Sequence, residues 1–125
     1  MIHLIVGNAG SGKTTYSKRL KQELGGVVFS IDKWNNTLFL PDKTESDGLE
    51  WFLERIDRAE TLMMDLIIHL EHSHTDSILD LGLSKFGHRE KFRAFARSNG
   101  FECQLHFLDI PKEERRSRVM QRNRE

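Results

Sequence analysis

Between Gly7 and Thr14 the chain reads GNAGSGKT, immediately behind the short apolar run of residues 2–6. Gly7, Gly12, Lys13 and Thr14 satisfy the spacing glycine, four residues, glycine, lysine, then serine or threonine. With glycine at about 7% of average usage, a random chain of this length contains that pattern on the order of half a percent of the time. The flanks supply the context that the pattern needs. Residues 2–6 read as a buried strand with His3 as its only polar interruption, and from Lys13 to Leu24 the residues Tyr16, Leu20 and Leu24 recur every four positions, as on one face of a helix. A strand that turns through glycines into a helix is a phosphate cradle. Glycines let backbone N–H groups turn inward on an anion, and the helix adds about half a positive charge at its N-terminus. The main chain of Gly7, Asn8, Ala9, Gly10, Ser11 and Gly12 would wrap the polyphosphate. Lys13 reaches the β- and γ-phosphates, the Thr14 hydroxyl suits Mg²⁺, and Thr15 serves packing or a further phosphate contact. The alternative, a flexible glycine turn, leaves the lysine and threonine without a reason.

The rest of the chain alternates strand and helix. Gly25 and Gly26 end the first helix, as residues tolerant of positive φ do, and residues 27–31 form a second apolar strand. Residues 32–48 are polar and turn-rich, with Pro41 and Gly48 as breakers, and are expected to be loop. Residues 49–70 place Leu49, Phe52, Leu53, Ile56, Leu62, Met63, Leu66 and Leu70 at helical spacing with charges between them, so a long amphipathic helix is predicted. Residues 77–81 are the third strand. A helix with Phe92, Phe95 and Ala96 inward runs to about Ser98, where Asn99 and Gly100 stop it. Residues 102–108 are the fourth strand. Pro111, followed by Glu113 and Glu114, opens a last helix. Four such alternations predict one α/β domain over residues 1–125, a parallel sheet of four strands with helices on both faces.

In a parallel sheet the carboxyl ends of the strands gather around the ligand crevice, so Asp32, closing VVFSID, faces the bound phosphates. A strand-end aspartate can also simply cap a turn, and the same holds for Asp80, closing SILD. Arg115, Arg118 and Arg122 share a helix face, which a solvated helix with Glu114 and Arg118 paired would also show.

The stretches GNAGSGKTTYSKRL, VVFSIDKW, SILDLGLSKFGHREKFRAFARSNGF and LHFLDIPKEERRSRVMQRN resemble the P-loop small-molecule kinases grouped with zeta toxin, chloramphenicol phosphotransferase and the kinase part of polynucleotide kinases. The likeness covers nearly all of the chain and is weakest over residues 35–71. It implies a P-loop NTPase three-layer sandwich and ATP- and Mg²⁺-dependent transfer of phosphate to a hydroxyl of a small molecule. It assigns Asp32 to the proton of the acceptor hydroxyl, Asp80 with Thr14 to the metal, Arg118 and Arg122 to a lid within residues 111–125, and residues 49–72 to the substrate side. Arg89 falls where relatives often have a basic residue near the substrate, with plain surface charge as the alternative. Relatives acting on polynucleotides have an arginine three residues after the acid, where this chain has Asn35. Relatives also continue into a fifth strand past the lid, so a short or truncated form is expected.

Composition narrows the partners. Lys plus Arg and Asp plus Glu both number 19, and a formal charge of zero announces neither nucleic acid nor an anionic membrane. Locally, residues 42–60 hold seven acids and three bases, while residues 111–125 hold six bases and three acids. Cys103 is the only cysteine, which excludes an internal disulfide and suits a reducing cytoplasm. No apolar run approaches the ~18 residues of a membrane span. His69, His72 and His74 cluster, but a metal site needs further ligands. Trp34, Phe39, Trp51 and Phe52 are read as docking surface for the long helix or as stacking surface for a flat substrate. Two other functions stay open: a nucleotide-binding sensor or scaffold without turnover, and a polynucleotide 5′-hydroxyl kinase. The acceptor's identity, ATP against GTP and the oligomeric state are not fixed by the sequence.

Overall fold

The computed structural model describes residues 1–7, 11–83 and 85–108. The strands β1 (Ile2–Val6), β2 (Val27–Ser30), β3 (Ser77–Asp80) and β4 (Cys103–Phe107) form one sheet in the order β2-β3-β1-β4, with every pairing parallel. Helices α1 (Lys13–Leu24), α2 (Ile31–Leu38), α3 (Leu49–His72) and α4 (Phe86–Asn99) complete the described fold.

Alternation along the strands builds a three-layer sandwich. Ile2, Leu4 and Val6 of β1, Phe29 of β2 and Leu79 of β3 point to one face, where Met63 and Ile67 of α3 and Phe92 and Ala96 of α4 close a core. Ile5 and Ile78 point to the other face and meet Tyr16 and Leu20 of α1. A strand covered on both sides explains why β1 is apolar almost throughout. The third residue of the expected α1 face, Leu24, is 46% exposed and belongs to neither core.

The two glycines after α1 do different work. Gly25 takes the left-handed conformation, φ 71°, and its N–H donates to the Lys21 carbonyl. Gly26 has no positive φ; a Cβ there would stand 2.7 Å from the Asp76 carbonyl oxygen, so close approach of backbone requires it.

Residues 32–48 are not a loop throughout. Ser30 caps α2 by accepting from Lys33 N at 3.4 Å, Ile31 belongs to the helix rather than to β2, and a short 3-10 turn at Leu40–Asp42 follows. Ile31 and Trp34 lie three apart and both pack on the α3–α4 core. That docking outweighs the poor helix propensity of Asn35 and Asn36. The helix expected from Pro111 lies outside the described residues.

Candidate functional site

The site forms where β1, β2 and β3 end. Gly7 leaves β1 beside Ser11 and the Leu108 carbonyl oxygen; a Cβ on Gly7 would collide with the Ser11 side chain and come within 3.2 Å of that oxygen. Gly12 precedes α1 at φ 89°, a left-handed value that favours glycine. Lys13 Nζ donates to the Gly7 carbonyl at 2.7 Å. Thr14 Oγ1 donates to Asp80 Oδ2 at 3.4 Å, which ties the start of α1 to the end of β3. Thr15, the next residue on α1, is exposed.

Asp32 stands in the first turn of α2, exposed, on the carboxyl side of β2. Its charge acts on Asp80. Burial pushes the Asp80 carboxyl above its ordinary range, the Lys13 ammonium pulls it down, Asp32 adds to the upward push, and the hydrogen bond from Thr14 opposes it. One ammonium, one hydroxyl and two carboxylates therefore converge on one edge of the sheet. Asn8, Ala9, Gly10, Arg115, Arg118 and Arg122 lie outside the described residues.

Two local features fit a polyphosphate with a divalent cation. Ser11 Oγ is buried without a hydrogen-bond partner among the described residues, packed where a Cβ on Gly7 would displace it. Thr14 and Asp80 present hard oxygen donors side by side, the donor type that Mg²⁺ takes.

Arg89 lies at the start of α4, donates from Nη1 to the Leu83 carbonyl at 3.3 Å, and stands 5.7 Å from the Phe107 ring centre and 5.8 Å from that of Phe86. Trp34 packs against Phe29 with ring centres 6.2 Å apart and sits on the core. Trp51 instead meets Phe52 edge-on and holds the Arg55 guanidinium 3.9 Å from its ring centre. His69 lies 3.9 Å from Asp65 one helical turn away. Cys103 flanks the α4-side core, and burial pushes its thiol up.

A polar chain beneath α1 escaped the sequence reading. His3 Nε2 meets Asp76 Oδ2 at 2.8 Å, His3 Nδ1 meets His106 Nε2 at 2.9 Å, and His106 Nδ1 meets the Tyr16 hydroxyl at 2.6 Å. The Asp76 carboxylate accepts from His3 Nε2. Burial, with His3 adding to it, lowers the His106 pKa. The signal was the period of two, which puts His3 on the same side of β1 as Ile5. A second cluster joins α3 to α4. Buried Glu60 accepts from His88 at 2.6 Å and from Lys91 at 3.1 Å, and Lys91 also reaches Asp57 at 3.1 Å. Burial works against the Glu60 charge, but the bonds from His88 and Lys91 outweigh it and hold its pKa below the ordinary value.

With this geometry in hand, residues 2–125 match the AAA domain family. The chain belongs to that family. The match, together with kinases among the similar structures, bears out the resemblance to P-loop kinases read from the sequence. No curated protein matches this AAA domain. It is similar in structure to a chain of the Pnkp1/Rnl/Hen1 RNA repair complex, with a TM-score of 0.73, 22% identity, and coverage of 97% of this chain and 37% of that one. A protein of Chloroflexus aurantiacus described as a candidate kinase gives a TM-score of 0.72 at 16% identity, covering 98% of this chain and 66% of that one. A sugar kinase from Janibacter sp. gives 0.58 at 20% identity, with coverage of 96% and 66%. The AAA domain thus spans between 37% and 66% of the length of these relatives. At these identities the likeness establishes the fold, the parallel α/β sandwich of P-loop kinases. Among the described residues no helix is long and apolar enough to cross a membrane.

Proposed function

We propose that the chain transfers the γ-phosphoryl group of ATP to a hydroxyl of a small molecule, in an Mg²⁺-dependent reaction. The observation that carries this reading is the convergence of Lys13, Thr14, Asp80 and Asp32 at the carboxyl edge of β1, β2 and β3.

The glycine loop and the N-terminus of α1 hold the β- and γ-phosphates, and Lys13 leaves the Gly7 carbonyl to meet them. Thr14 and Asp80 would hold Mg²⁺, which supplies neutralisation of phosphate charge when bound. Asp32 orients the acceptor hydroxyl. As the bond from its oxygen to the γ-phosphorus forms and the bond to the β,γ-bridging oxygen breaks, the hydroxyl proton passes to the Asp32 carboxylate and ADP departs. Phosphoryl transfer has a loose transition state, so position and charge neutralisation matter more than a strong base. Arg118 and Arg122 are proposed to close over the phosphates and stabilise charge developing on them.

The test is transfer of labelled γ-phosphate from ATP to a panel of sugars, nucleosides and other alcohols. Transfer that is lost in Asp32→Asn while ATP binding persists supports the proposal. ATP binding without transfer to any alcohol by the wild type would make the chain a nucleotide-sensing module instead. The likeness to a chain of an RNA repair complex favours one further reading, a polynucleotide 5′-hydroxyl kinase. That reading requires oligonucleotide binding that weakens steeply with salt.

A further inference from the structure

Along α3 the residues Leu49, Leu53, Ile56, Glu60, Met63, Ile67 and Leu70 follow one another at alternating spacings of four and three, and so form a single stripe. The stripe changes character part-way. Met63 and Ile67 are fully buried against the sheet, whereas Leu53 is 54% exposed and Leu49 72%. The change has a geometric origin. The far end of α3 is anchored at the amino edge of the sheet, where Glu71 lies 2.8 Å from the Met1 amino group at the start of β1. Glu60 marks the carboxyl edge, because it bonds His88 in the opening turn of α4, just beyond β3. Eleven further residues then carry the helix about 16 Å past that edge. This is the edge on which Lys13, Thr14, Asp80 and Asp32 converge. The side of α3 that makes core over the sheet continues as an exposed apolar face at the same end of the fold as the site.

We infer that the phosphoryl acceptor is an alcohol that carries no negative charge and rests an apolar body on Leu49 and Leu53. The inference depends on the kinase reading for the word acceptor; the seat itself stands on the stripe. Charge selects the occupant. Residues 42–59, which lead into and form the projecting half of α3, hold six acids against three bases, and with Asp57 paired to Lys91 the balance stays negative, a field that repels a polyanion such as a nucleic-acid end. An apolar surface of two leucines rewards an alkyl or aromatic group and offers nothing to a bare polyol. The acidic surround leaves room for a neutral or a cationic alcohol.

The test reads the leucine methyl signals of the full chain by NMR during titration with 2-phenylethanol, glycerol and a short 5′-hydroxyl oligothymidylate. The expected result is saturable movement of the Leu49 and Leu53 signals with 2-phenylethanol alone. Leu62, exposed on another flank of the same helix, should stay still. Leu53→Glu, at an exposed position that should not disturb folding, should weaken the association about tenfold, and Leu62→Glu should leave it unchanged. The inference is overturned if the oligothymidylate moves these signals, if 2-phenylethanol moves none of them, or if Leu53→Glu binds as tightly as the wild type. It is equally overturned if the signals shift with protein concentration, because a second copy would then occupy the stripe. Phosphate transfer to glycerol or to the oligonucleotide in preference to 2-phenylethanol would sink the inference and keep the kinase. Binding of 2-phenylethanol without transfer to any alcohol would support the seat and remove the kinase.

Discussion

Thr14 Oγ1 and Asp80 Oδ2 stand 3.4 Å apart across 66 residues of sequence, one opening α1 and the other closing β3. The pair joins the start of α1 to the middle of the sheet. With Asp32 acting on Asp80 from the first turn of α2, just beyond β2, residues that follow or close three strands contribute to one cluster.

Asp80 is held above its ordinary pKa, mainly by burial, so its charged form costs stability without a cation. The folded state then binds the proton more tightly than the unfolded one, and stability falls as pH rises from the ordinary value of 3.8 through the raised value. Asp80→Asn should therefore raise the melting temperature at neutral pH in the absence of Mg²⁺, by an amount that vanishes below pH 3.8. Calorimetric melts across pH check this, and in Mg²⁺ with ATP the order of wild type and variant should reverse.

Glu60 has its pKa lowered because the bonds from His88 and Lys91 overcome burial. Its contribution is complete above the ordinary value of 4.5 and is lost as pH falls through the depressed one. Glu60→Ala leaves His88 and Lys91 without their carboxylate and should cost about 1–3 kcal/mol in urea melts at pH 7. The deficit should shrink on acidification, whereas a pH-independent deficit would assign Glu60 to packing alone.

Burial, with His3 adding to it, holds the folded pKa of His106 below 6.5. Here the unfolded chain takes the proton first, and stability is lost as pH falls below 6.5. His106→Phe should flatten that acid limb. Tyr16→Phe removes the 2.6 Å bond to His106 Nδ1 and should destabilise by about 1 kcal/mol.

Met63 is fully buried where α3 crosses the sheet, and Met63→Ala should cost about 2–5 kcal/mol in denaturant melts. Leu49→Ala on the same stripe should cost less than about 0.5 kcal/mol, because that position lies beyond the sheet and loses little burial. Equal costs would contradict the assignment of the projecting half.

Much of the architecture was legible because the strands are doubly covered and the helices carry clear stops. Ile2–Val6 and Lys13–Leu24 follow directly from an apolar run, a glycine loop and a four-residue period. Helix α2 did not, because Ile31 looks like the end of an apolar strand and Asn35 and Asn36 look like a turn; only the core that Ile31 and Trp34 enter reveals it. Lys13, Thr14, Asp32 and Asp80 could be picked out one at a time, but a spacing pattern does not contain the Thr14–Asp80 contact or the influence of Asp32 on Asp80. The His3–His106–Tyr16 chain joins three distant elements by single polar atoms, which leaves no local signature. The exposed half of the α3 stripe was invisible for another reason: periodicity reports a face and not what lies opposite it.

Calorimetric titration of the full chain with ATP in Mg²⁺, beside Lys13→Ala, tests the central claim most directly. The account predicts saturable one-site binding by the wild type that weakens at least about tenfold when the lysine is removed. No association of any purine nucleoside triphosphate with the wild type, or equal affinity in the variant, would contradict it.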